Sequence, residues 1–219
     1  MRKIIAIDGL DGSGKATQVS LLKQRLDKLG YNVRVASFPA YDNKSSALVK
    51  MYLGGEISDN INDINPYAAS LFYACDRYVQ FMTNLKETDK DEILLCDRYI
   101  SANILHQGAK IEDLGQRRKY YDWVYEIEHL IGVPKETATI MLLVHPEISQ
   151  KLMVDCTKTK VEGDIHEKNL EYLQNCYDKA ESAAQYNGWY TIDCSPNKQL
   201  KSIKEINDLI YEYVLTKIQ

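Results

Sequence analysis

No apolar run among the 219 residues approaches the roughly 18–20 positions of a membrane helix, so no membrane-spanning helix is expected. Repeats, low-complexity tracts and linkers rich in Gly, Pro or Ser are also missing, which leaves a single domain over 1–219. There is no excess of positive charge: the formal net charge is −4, giving no reason to expect a nucleic-acid groove or an anionic-membrane surface. Cys75, Cys96, Cys156, Cys176 and Cys194 are odd in number, widely spaced and without a CxxC pair. That pattern argues against a disulfide framework or thiolate metal site and for reduced thiols in a cytoplasmic protein. The opening Met1–Asp8 is too short and too soon interrupted by a carboxylate to be a secretory signal; it reads as a buried first strand.

What is present is a rhythm of short apolar runs and longer helical segments, the pattern of an α/β fold. Candidate strands are Lys3–Asp8, Asn32–Ser37, Glu92–Asp97, Thr137–Val144 and Trp189–Cys194. Runs such as Ile93-Leu94-Leu95-Cys96 are nearly all apolar, as parallel strands covered on both faces require. Helices are expected from Gly14 to about Leu29, then over Pro66–Asn84, Gln116–Leu130, Glu167–Tyr186 and Ile203–Lys217. A polar stretch within 155–165 is either a plain surface loop or a short lid.

The first chemical signal is Gly9-Leu10-Asp11-Gly12-Ser13-Gly14-Lys15, a G-x-x-x-x-G-K phosphate loop between an apolar strand and an amphipathic helix. Glycines allow backbone N–H groups to converge on a phosphate, the helix N-terminus points its positive end at the same anion, and Lys15 reaches the outer phosphates. The next residue is Ala16, where the motif usually places a Mg²⁺-binding hydroxyl; Thr17 is turned by about 100° from it on a helix. The second signal is Asp97-Arg98-Tyr99 at the end of the third strand. A carboxylate there lies near the phosphate loop and can hold Mg²⁺ directly or through water, and the arginine suits bidentate phosphate binding.

With Phe38-Pro39 after the second strand, Tyr73-Ala74-Cys75-Asp76-Arg77 in a helix, and Gln107-Gly108 after Asp97-Arg98-Tyr99, the chain resembles thymidylate kinases over nearly its whole length. The resemblance implies a phosphate-loop NTPase fold, with a parallel sheet of about five strands, helices on both faces and a short lid. It implies transfer of the γ-phosphate of ATP to dTMP with Mg²⁺, and a homodimer. An acceptor other than dTMP, or a nucleotide-binding relative with little catalysis, are the alternatives. By resemblance, Gly9 to Thr17 (with Leu10, Gly12, Ser13, Gly14, Lys15 and Ala16) bind ATP, and Lys15, Asp97 and Arg98 act in catalysis, Asp97 toward the metal. Asp11 would contact the sugar 3′-hydroxyl. Phe38 and Pro39 would line the nucleoside pocket, and Tyr73 (with Phe72 competing) would stack on the base. Arg77 would bind thymine O4, Arg98 the acceptor phosphate, and Asn103 and Gln107 the base or sugar edge. His106 falls near the sugar 2′ position.

The family supplies an arginine in the phosphate loop or the lid. Here the loop has Gly12, no arginine follows Arg118, and the lid region offers Lys151, Lys158 and Lys160. A lysine neutralises charge without the planar fork, which implies a slow enzyme.

Overall fold

The computed structural model describes residues 2–87, 89–156 and 170–219. Five strands, β1 (Lys3–Gly9), β2 (Val33–Ser37), β3 (Ile93–Asp97), β4 (Ala138–Leu143) and β5 (Tyr190–Asp193), form one sheet in the order β2-β3-β1-β4-β5. Every pairing is parallel. The order reverses at β1, which lies between β3 and β4. Open parallel sheets hold their ligands at such a reversal, outside the carboxyl ends of the strands.

Alternation along β1 sends its side chains to two cores. Ile5 and Ile7 meet Val19, Leu22 and Leu26 of α1 (Lys15–Lys28) and Ile206, Ile210 and Val214 of α8 (Ile203–Ile218). Ile4 and Ala6 face a second core, which draws on α3 (Pro66–Met82), α4 (Ile100–His106) and α5 (Leu114–Leu130). Both faces are therefore covered, and truncating a side chain as enclosed as Leu22 would cost about 2–5 kcal/mol.

Local chemistry sets the helix starts. Asn65 caps α3 through the Tyr67 and Ala68 amides, with Pro66 in the first turn. Asp113 caps α5 through the Gln116 amide, which places the helix start before Gly115 rather than after it. Ser202 and Glu205 form a reciprocal capping box on α8.

All five expected strands are present within one residue of their anticipated limits. Among the described residues three α-helices had not been anticipated: α2 (Ala47–Leu53), α4 and α6 (Pro146–Cys156). α2 and α4 have seven residues each, too short for an apolar period to declare itself. The helix expected from Glu167 is α7 (Leu170–Asn187). Of the lid candidate within 155–165, residues 157–165, with Lys158 and Lys160, lie outside the described residues; Lys151 is an exposed residue of α6.

Candidate active site

The phosphate loop runs from the end of β1 to the start of α1. A Cβ on Gly9 would sit 2.6 Å from the Leu142 carbonyl oxygen, and one on Gly12 would sit 2.3 Å from that of Ser149 in α6. Gly12 also has φ +74°, in the left-handed region. Position 12, which the resemblance marks for a loop arginine, is thus closed to a side chain by α6 and by backbone conformation. Lys15 folds back over the loop, its Nζ donating to the Leu10 carbonyl at 2.8 Å and contacting Ser13 Oγ at 3.4 Å. Burial lowers the Lys15 pKa to about 8; Arg98 pushes the same way, and Asp11, Asp97 and Asp8 oppose it.

Parallel pairing puts Asp97 beside Ile7, so the end of β3 meets the start of the loop. Arg98 then takes φ +67°, a conformation that side chains rarely adopt and that surrounding bonds must hold. Its amide donates to the Ile7 carbonyl at 3.0 Å. Asp8, fully buried, accepts from the Gly9 amide at 3.0 Å, the Tyr99 amide at 3.3 Å and Ser101 Oγ at 2.7 Å. One carboxylate therefore ties the phosphate loop to the Arg98 turn.

The Arg98 guanidinium pairs with Asp11, contacts His106 Nε2 at 3.0 Å and lies 3.5 Å from the Gly9 carbonyl. Burial alone would lower its pKa, but Asp11, Asp8 and Asp97 raise it above the usual arginine range. Burial raises the Asp97 carboxyl, against the pull of Lys15 and Arg98.

Beneath this cluster opens a cavity with an empty volume of about 480 Å³, part of it facing solvent. Its walls include Asp11, Phe38, Pro39, Tyr73, Arg77, Arg98, Asn103 and Gln107, every substrate residue expected from the sequence, and also Tyr41, Leu53, Ala102 and His106. Tyr73 rather than Phe72 lines the cavity, although both rings pack against Tyr52, at 6.2 and 6.5 Å between ring centres. The wall groups are already held. Arg77 forks onto Glu128 of α5, with Nε 2.6 Å from Oε2, and Nη1 donates to the Tyr99 carbonyl at 3.3 Å. Burial would lower the Arg77 pKa, yet the Glu128 partner raises it overall. Asn103 Nδ2 donates to Glu128 Oε1 at 3.1 Å and to the Ser70 carbonyl at 3.2 Å. Gln107 directs its amide to Tyr52 Oη at 3.0 Å, and that hydroxyl also accepts from Lys110 Nζ at 3.0 Å.

The thymidylate kinase family model matches residues 7–206. The chain belongs to the thymidylate kinase family. The match spans the Gly9–Lys15 loop, the Asp97–Arg98 turn and the residues that line the cavity, and membership makes the protein an ATP-dependent phosphotransferase. Among curated relatives, the "Probable thymidylate kinase 1" of Saccharolobus solfataricus is 28% identical over 201 residues, covering 90% of this chain and 92% of its own. The probable thymidylate kinase of Methanocaldococcus jannaschii is 28% identical over 211 residues, covering 96% and 94%. The thymidylate kinase of Mycobacterium tuberculosis is 29% identical over 148 residues, covering 67% and 68%.

Sequence reasoning did not reach Asp8, Ser101, Tyr52 or Glu128. Only Glu128 left a readable signal, a carboxylate at helical spacing on the stripe formed by Tyr120, Tyr121 and Val124.

The residues at the loop fit a magnesium ion that arrives with its nucleotide. Among the described residues no group of three or more His, Cys, Asp or Glu side chains forms a protein cage. Asp97 stands at the strand end near Lys15, while the neighbouring Asp8 and Asp11 carboxylates are bonded to Ser101 and Arg98; one carboxylate with phosphates and waters would suit such an ion.

Proposed function

We propose that this kinase carries the γ-phosphoryl group of ATP to dTMP, giving dTDP and ADP, with the acceptor seated in the cavity below the phosphate loop. The observation that carries this reading is the convergence of Arg98, Asp11, Tyr73, Arg77 and Asn103 on one cavity beside Lys15. The relatives' names supply the acceptor. In the reaction, an oxygen of the dTMP phosphate bonds to the γ-phosphorus as the bond to the bridging β–γ oxygen breaks, and ADP leaves with that electron pair.

Phosphoryl transfer demands alignment and neutralisation of spreading negative charge. Lys15 and the loop amides hold the ATP phosphates, and Arg98 turns from Asp11 to the acceptor phosphate. Asp11 meets the sugar 3′-hydroxyl. Phe38, Pro39 and Tyr73 enclose the base, Arg77 and Asn103 meet its polar edge, and Gln107 forms wall. Asp97 would hold Mg²⁺, which when bound neutralises charge on the phosphate oxygens. ADP release that depends on dTMP and Mg²⁺ tests the reading. Lys15→Ala and Arg98→Ala should each lower turnover by about 10²-fold or more; full activity in both would sink it.

We further propose a homodimer that uses one face of α3. Leu71, Cys75, Tyr78, Val79 and Met82 are exposed along a single apolar stripe of that helix, opposite its buried Ala74, Arg77 and Phe81. Leu71→Glu should give a monomer in sedimentation velocity, and a monomeric wild type would end the proposal. We place the protein in the cytoplasm on its cysteine pattern.

A further inference from the structure

The base-facing wall depends on a residue that lies behind it. Arg77 and Asn103 come from different helices, α3 and α4, yet both bond the same carboxylate, Glu128 of α5, which is 0% exposed. Glu128 Oε1 accepts from Arg77 Nη2 and Asn103 Nδ2, while Oε2 accepts from Arg77 Nε.

This sharing fixes chemical polarity as well as position. The Asn103 amide nitrogen faces two oxygens, Glu128 Oε1 and the Ser70 carbonyl. A flipped amide would set Oδ1 against both, with no proton between them. Its two N–H bonds are therefore used behind the wall, and Oδ1, an acceptor, is what Asn103 can offer the cavity. Arg77 can only donate. The wall thus carries a donor beside an acceptor.

We propose that Glu128 is the positioning residue that sets this donor–acceptor order, and so selects a pyrimidine with an acceptor at position 4 and a donor at N3. Thymine has that edge, and cytosine, with an amino group at position 4 and an unprotonated N3, has the reverse. Because a carboxylate accepts without donating, it cannot support the opposite setting of Asn103. The proposal rests on the acceptor base lying against this wall, as in the function proposed above.

The test compares kcat/KM for dTMP and 5-methyl-dCMP, which share the ring methyl and differ in edge polarity. Wild type should favour dTMP by about 10³-fold or more, since the mismatched edge leaves buried polar groups unpaired. Each Glu128 oxygen accepts from Arg77, so Glu128→Gln removes the charge and sets an N–H₂ group against an Arg77 donor, which loosens the shared hold on Arg77 and Asn103. The preference should fall by about tenfold or more, with KM for ATP unchanged. Glu128→Asp keeps a carboxylate for Arg77 but is one methylene too short to reach both partners, and its preference should fall as well. If Glu128→Gln does not give a folded protein by thermal melting, Glu128→Asp decides.

A folded variant with the wild-type ratio overturns the role of Glu128. So does a variant that loses affinity for ATP and dTMP alike, because that marks a general structural defect. A wild type with no dTMP turnover overturns the acceptor reading and this proposal with it. A wild type that prefers dTMP beside an equally selective folded variant overturns the proposal alone.

Discussion

Ser101→Ala probes how the Gly9–Lys15 loop and the Arg98 turn are joined. Ser101 Oγ donates to the fully buried Asp8 carboxylate at 2.7 Å, and the Gly9 and Tyr99 amides supply its other donors. Removing a hydrogen bond to a charged group costs about 1.5–3 kcal/mol, so about 2 kcal/mol is expected here. In a chain of this size each kcal/mol lowers Tm by about 2–4 °C, which gives a fall of about 4–8 °C. Thermal denaturation checks that number. The kinetic consequence should be uneven, because the lost donor belongs to α4 and steadies the strained Arg98 turn, while the Gly9 amide remains bonded to Asp8. KM for dTMP should rise several-fold, with KM for ATP little changed. A Tm within about 1 °C of wild type, or an equal rise in both KM values, would refute the view that Asp8 and Ser101 hold Arg98 in place.

Two other predictions follow from the loop. Burial lowers the Lys15 pKa to about 8 in the free protein, and a bound phosphate favours the protonated amine. Nucleotide binding near pH 8 should therefore take up about half a proton, and affinity should weaken as pH rises through 8; calorimetry in buffers of different ionisation enthalpy checks this, and uptake unchanged in Lys15→Ala would refute it. For stability the sign is opposite: Lys15 is depressed in the folded state, so its burial penalty is full below pH 8 and relaxes between about 8 and 10.5. Gly12→Arg would restore a loop arginine, yet its Cβ would lie 2.3 Å from the Ser149 carbonyl oxygen at φ +74°. It should lower both Tm and kcat, and a faster enzyme would show that α6 yields more readily than its packing implies.

The three central strands, β1, β3 and β4, were readable because parallel strands buried on both faces are written as apolar runs, while the edge strands β2 and β5 are only partly buried. The phosphate loop was equally plain, since its glycines, lysine and flanking elements are contiguous. α4 was not, although Ile100, Ile104 and Leu105 carry its spacing, because seven residues give less than two full periods. The choice between Tyr73 and Phe72 turned on helix rotation, which sequence alone could not set. Glu128 and Asp8 were out of reach for another reason. Their partners lie 25 to 51 and 91 to 93 residues away, apart from the neighbouring Gly9 amide. Only the folded chain brings those groups together.

If Arg98 receives the acceptor phosphate, as the proposed function has it, the Arg98–Asp11 pair sets an entry requirement for the acceptor. The guanidinium is held by a carboxylate and an imidazole. A newcomer can release it only by offering a stronger anion at the same point. A nucleoside monophosphate brings one, and an uncharged nucleoside has nothing to exchange. On that reading the ion pair works as a test for the phosphate itself.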